Sequence, residues 1–186
     1  MQEIIHKTVE VLKSGGTILY PTDTIWGLGC DATNAEAVEK IYAIKQRPNE
    51  KALIVLMNTL AMLERYFPEI PEAAYQILEL SDKPTTIIYD QPKGVAKNLV
   101  AADQTLAVRI CKDAFCTALI TKFNRPIVST SANRSGMASP TCFNDVHKDI
   151  QTSVDYIVPL RQEEINTKAS TIIKLGLDGQ VKIIRS

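Results

Sequence analysis

Histidine, tryptophan and cysteine are scarce in this chain, and the gaps around them close off several kinds of chemistry. Of 186 residues, two are histidine, one is tryptophan and four are cysteine. Cys30, Cys111, Cys116 and Cys142 form no C-x-x-C pair, and neither His6 nor His147 stands at a spacing that would complete a zinc site with them. A structural metal is not expected, and each cysteine reads as a small buried apolar side chain. Long apolar runs are missing too. The longest, Ala52 to Met57, is far short of the roughly 20 residues a membrane helix needs. The amino terminus, Met1-Gln2-Glu3-Ile4-Ile5-His6-Lys7, has polar and charged residues where a secretory signal is apolar, so a cytoplasmic protein is expected. An excess of either charge is also lacking: 21 Lys and Arg balance 21 Asp and Glu. That excludes a globally basic nucleic-acid binder but leaves room for a local positive groove.

What remains is the profile of one ordinary soluble domain, since length divided by about 150 residues gives a single unit. Such a chain buries roughly 70% of its unfolded surface and needs no covalent staples. Residues 3–13 carry Ile4, Ile5, Thr8, Val9 and Leu12 at helical spacing, stopped by Gly15-Gly16. Thr17 to Tyr20 reads as a buried strand closed by Pro21. A polar segment to Asp31 follows. Thr33-Asn34-Ala35-Glu36 has capping-box form and predicts a helix over about 34–45. Further strands are predicted at 52–57, 85–89, 105–110 and 126–130, with helices at 59–67, 71–81 and 113–123. Residues 91–104 read as a surface loop with some helix. Three short β segments end the chain, near 154–158, 169–175 and 180–185, and Asp178-Gly179 signals a tight hairpin between the last two. Strands alternate with helices at first and then follow one another, which predicts an α/β fold with a twisted mixed parallel and antiparallel sheet over 1–186.

Three polar, small-residue segments follow strands, where ligands collect in α/β folds. In Pro21-Thr22-Asp23-Thr24-Ile25-Trp26-Gly27-Leu28-Gly29, hydroxyls offer hydrogen bonds and glycines allow close backbone approach, although a turn packed under Trp26 would read the same way. Lys40 to Lys51 holds four cations against one anion. Its Lys45-Gln46-Arg47 suits a polyphosphate, or else simply complements a helix end. Ser129-Thr130-Ser131-Ala132-Asn133-Arg134-Ser135-Gly136 presents many donors to phosphate or ribose oxygens, or is a hydroxyl-rich surface turn. No Walker-type or G-x-G-x-x-G loop occurs, so a nucleotide would be held in another way. The G-x-S-x-G elbow is absent and neither histidine lies in a catalytic loop, which argues against a serine nucleophile.

In this order and spacing, the three segments resemble the YrdC-type family of threonylcarbamoyl-AMP synthases. Tyr20 to Gly29 matches its P-T-[ED]-T-x-[YW]-G-L-G run, Lys45 and Arg47 its K-x-R, and Ser131 and Asn133 its S-x-N, and the resemblance covers nearly the whole chain. It implies a single domain with a wide basic hollow. Lys45 and Arg47 would be the catalytic cations, holding ATP together with Ser131 and Asn133, while Thr105, Ser139 and Arg185 match positions near the nucleotide. Thr24, Ser129 and Arg109 would hold threonine, and Ser170 matches a position close to it. An arginine in a strand otherwise faces solvent, so the role of Arg109 is owed to the resemblance.

Two positions depart from the family pattern. Lys51 replaces an asparagine that contacts nucleotide, and lysine can still meet a phosphate. Leu56 replaces a histidine that contacts threonine, and leucine cannot form that hydrogen bond.

The implied reaction joins ATP, L-threonine and bicarbonate into threonylcarbamoyl-AMP and pyrophosphate, with Mg²⁺ bound through the ATP phosphates. A downstream transferase would carry the product to tRNA. The other reading is a non-catalytic paralogue that binds double-stranded RNA or nucleotide, which Leu56 favours and Ser131-x-Asn133 disfavours.

Overall fold

A computed structural model describes residues 1–46, 53–166, 169–177 and 179–185. The predicted Arg47 and Lys51 positions, the start of the 52–57 segment and Asp178 therefore lie outside the described residues.

The first helix, α1 (Gln2–Lys13), buries Ile5, Thr8, Val9 and Leu12 on one face, as its 3.6-residue spacing requires. Strand β1 (Ile18–Tyr20) follows. Next comes an unpredicted strand, β2 (Gly27–Gly29), inside the segment read as polar connection. A Gly-Leu-Gly triplet carries no strand signal of its own. It is recruited by pairing on both sides, with β1 and with β6 (Ile127–Ser131).

Helix α2 (Ala35–Lys45) starts one residue later than its capping-box form suggested. Asn34 is the cap, accepting from the amides of Glu36 and Ala37. Thr33 is unavailable because its amide and hydroxyl both donate to Asp31 Oδ1, at 2.8 and 2.7 Å. Strand β3 (Ile54–Met57), helices α3 (Leu60–Tyr66) and α4 (Glu72–Leu80), strands β4 (Thr85–Asp90) and β5 (Thr105–Ile110) and helix α5 (Ala114–Phe123) fall where the pattern places them. The loop between β4 and β5 contains a 3₁₀ turn, Lys97–Leu99. A short helix, α6 (Lys148–Ser153), was not anticipated and precedes β7 (Tyr156–Ile157).

The last two strands, β8 (Thr171–Leu175) and β9 (Val181–Arg185), pair antiparallel as a hairpin. Its loop is longer than the two residues the Asp-Gly pair suggested: Leu175 pairs with Val181, and Gly176 N donates to Gln180 O.

Among the described residues the strands form one mixed sheet in the order β7-β1-β2-β6-β3-β5-β4-β8-β9. The pairs β1/β7, β3/β5 and β4/β8 are parallel and the other five antiparallel. Residues opposite one another in register share a face. Val128, Val55, Val108 and Ile87 make a buried row on one side. Ser129, Ile54, Ala107 and Ile88 make the row on the other, extended by Gly27 opposite Ser131, and this second row is the floor of a cleft. Cys30, Cys111 and Cys116 are buried as expected, and Cys142 is partly exposed. No described helix is long and apolar enough to cross a membrane.

Candidate active site

The cleft encloses about 290 Å³. One wall comes from the turn after β1 and the ends of β2 and β6, the floor from β3, β4 and β5, and the other wall from β8 and β9. Seven of the residues singled out from sequence meet here: Thr24, Arg109, Ser129, Ser131, Ser139, Ser170 and Arg185 all line it.

Thr22 shapes the first wall. Its Oγ accepts the Thr24 amide at 3.1 Å and donates to the Ile25 carbonyl at 2.8 Å. Its one proton being committed, the Thr24 hydroxyl must donate in the 2.9 Å contact between the two threonines. Thr24 therefore turns only lone pairs to the cleft and reads ligand N–H or O–H groups. The glycines of β2 make room for the phenol of Tyr20. A Cβ on Gly29 would stand 2.7 Å from Tyr20 Cε1 and 2.8 Å from Val128 O. The Tyr20 hydroxyl lies 3.4 Å from Val128 O, and burial pushes its pKa well above the ordinary range, so it stays neutral.

Arg109 is the most constrained charge in the site. It is 4% exposed, and its Nη2 donates to Asp23 Oδ1 at 2.9 Å. Its Nε is buried with no acceptor among the described residues. A buried donor left unmade costs about 1–3 kcal/mol. Arg109 lines the cleft with one N–H given to Asp23, and a carboxylate entering there has the shape to take others of the guanidinium. On the far wall, the main-chain oxygen of Ser170 accepts from Arg185 Nε and Nη2 at 3.0 and 2.8 Å. The Ser170 hydroxyl lies 2.8 Å from that of Thr86. A register shift between β8 and β9 lets consecutive residues Ile184 and Arg185 both face the cleft.

Three expected residues stand elsewhere. Lys45 is 1% exposed and does not line the cleft: its Nζ donates to the carbonyls of Ser131 and Asn133 at 2.6 and 2.7 Å. Its main-chain oxygen also accepts from Ser135 N, so Lys45 ties the hydroxyl-rich loop to the end of α2 rather than offering its charge to the cleft. Asn133 donates to the carbonyls of Arg134 and Met137, and its Oδ1 is buried without a partner. The Thr105 hydroxyl donates to Asp103 Oδ1 at 2.7 Å, and that bond together with one from Lys174 holds the Asp103 carboxyl below the usual range. Leu56 is fully buried beside Arg109 in register and is no part of the lining. Sequence reasoning gave no role to Asp23 or Thr86. Asp23 had a signal, its place between two threonines of the matched run, and Thr86 had none.

Among the described residues no carboxylate lines the cleft, and they hold no group of three or more metal-ligating side chains.

The Sua5/YciO/YrdC family profile, described as telomere recombination, matches residues 10–186. A threonylcarbamoyl-AMP synthase of Pseudoalteromonas translucida (strain TAC 125) is 35% identical, over 97% of this chain and 97% of its own length. E. coli YciO superposes with a TM-score of 0.87 at 25% identity, covering 100% of this chain and 90% of that one. P. abyssi Sua5 complexed with L-threonine gives 0.82 at 28% identity over 92% of this chain, which spans only 50% of that structure.

Proposed function

The chain belongs to the Sua5/YciO/YrdC family, and on that premise we propose that it is an L-threonylcarbamoyladenylate synthase, a nucleotidyltransferase serving the threonylcarbamoyl-adenosine modification of tRNA. Its substrates are ATP, L-threonine and bicarbonate. The observation that carries this reading is the buried Arg109, whose one acceptor among the described residues is Asp23, in a cleft that also presents the hydroxyl residues Thr24, Ser129 and Ser170 and the guanidinium residue Arg185.

In the proposed reaction the threonine amine combines with bicarbonate to give a carbamate and water. A carbamate oxygen attacks the α-phosphorus of ATP, its bond to the β-phosphate oxygen breaks, and pyrophosphate leaves. Arg109 takes the threonine carboxylate, and Thr24 accepts a hydrogen bond from the amino acid, with Ser129 and Ser170 beside them. Ser131, Ser139 and Arg185 line the part of the cleft left for the nucleotide. Lys45 acts one step back, fixing the carbonyls of Ser131 and Asn133 so that the loop keeps its shape. Arg47 and Lys51 are proposed to meet the triphosphate on the resemblance alone, as are Asn133 and Thr105 to support the nucleotide. Magnesium would come with ATP as part of the substrate and would ease the departure of pyrophosphate. Three anionic partners must be brought together, and positioning alone contributes roughly 7–11 kcal/mol to such a reaction when alignment is good.

The test is pyrophosphate release from MgATP with threonine and bicarbonate each supplied or omitted, with mass detection of the adenylate. Release that needs both supports the synthase. ATP binding without release would favour the non-catalytic reading, and steeply salt-dependent binding of double-stranded RNA would strengthen it.

A further inference from the structure

Asp23 and Thr24 are neighbours in sequence, yet they face different spaces. Thr24 lines the cleft, together with Thr22 and Arg109. Asp23 is absent from that lining and borders a second, larger hollow of about 930 Å³, shared with Ile110, Thr85 and Asp113. The divergence is built by Thr22, whose hydroxyl binds the Thr24 amide, the Thr24 hydroxyl and the Ile25 carbonyl and so fixes the turn. Cys116 adds a second tether, donating from Sγ to the Pro21 carbonyl at 3.6 Å. The carboxylate of Asp23 thus borders the second hollow while reaching Arg109 Nη2 at 2.9 Å.

A guanidinium on a flexible stem has many orientations, and only some turn its uncommitted N–H groups to a ligand in the cleft. Among the described residues Asp23 is the one acceptor for the guanidinium, and Nε has none. Its strand neighbours in register, Leu56 and Thr86, supply no charge. We infer that Asp23 is a positioning residue for threonine recognition: its carboxylate takes one Nη2–H of Arg109 from a hollow the ligand does not enter, leaving the rest of the guanidinium for the substrate carboxylate. This rests on the synthase reading. Asp23 does not compete for the ligand, since it does not share the ligand's space. Its contribution is to orientation and to offsetting the buried positive charge until the substrate arrives.

The experiment compares wild type, Asp23→Asn and Asp23→Glu as full chains, with steady-state pyrophosphate release for KM and kcat and calorimetric binding of L-threonine. Asp23→Asn keeps the shape but loses the charge. It should raise the threonine KM and weaken threonine binding by about tenfold or more, as expected when one partner of a buried charge pair is neutralised. The KM for ATP should stay unchanged, and Asp23→Glu should recover part of the loss. A folded Asp23→Asn protein with wild-type threonine affinity would overturn the inference. So would a parallel loss for ATP and threonine, or an Asp23→Glu protein no better than Asp23→Asn. If wild type shows no turnover but binds threonine, the synthase reading fails while the binding data still decide the role of Asp23. If wild type does neither, both fall.

Discussion

The two walls of the cleft are built on opposite plans. On the wall formed by the β1 turn, β2 and β6, Thr22, Thr24, Gly27 and Ser129 are buried, and Thr22 is tied to Thr24 and to the Ile25 carbonyl. Behind them stand Tyr20, filling the space over Gly29, and Lys45, clasping the Ser131 and Asn133 carbonyls. On the β8–β9 wall, every residue of β9 is exposed, the strand pairs among the described residues with β8 alone, and Val181, Ile183 and Ile184 are exposed apolar side chains. Its one cleft-facing charge, Arg185, leans on Ser170. The first wall fixes geometry at the cost of burying charged groups, which are worth most where water is excluded. The second lends charge that solvent and salt can screen.

Substitutions should break this contrast unequally. Lys45→Ala should have the largest effect. It leaves two buried carbonyls without a charged donor and opens space under the loop, so about 3 kcal/mol of stability should be lost, read by urea unfolding. Adenylate formation should fall by roughly a hundredfold or more as the loop loses its alignment. Gly29→Ala comes next. The added methyl would meet Tyr20 and the Val128 carbonyl at under 3 Å, and overpacking of that kind costs about 1–3 kcal/mol. Gly27→Ala sharpens the point, because its nearest neighbours stand 3.4 Å away and its thermal unfolding should move less. Arg185→Ala should be mildest, shifting stability by no more than about 0.5 kcal/mol. Its kinetic effect should be a severalfold rise in the KM for ATP that shrinks as salt is added, checked by repeating the assay across ionic strength.

The contrast also explains what could be seen in the sequence. Most elements were legible because their patterns are strong: α1 alternates at helical spacing, and β4 and β5 are runs of β-branched residues broken by Gly and Pro. Strand β2 was not, because Gly-Leu-Gly becomes a strand only when β1 and β6 flank it. The cleft residues with hydroxyl or guanidinium groups were legible through ordered motifs. The positions of Lys45 and Asp23 were not, since motif matching names residue types but not directions. The cation expected on the wall lies behind it, and an aspartate in plain view between two threonines reaches back to Arg109.

The most direct test of the account is calorimetric titration of L-threonine into wild type and Arg109→Leu. The cleft as described predicts measurable binding to wild type and a loss of about a hundredfold, ~2.7 kcal/mol, in a folded Arg109→Leu protein. Equal affinity in the two would contradict it, because the buried guanidinium would then have no part in holding the amino acid.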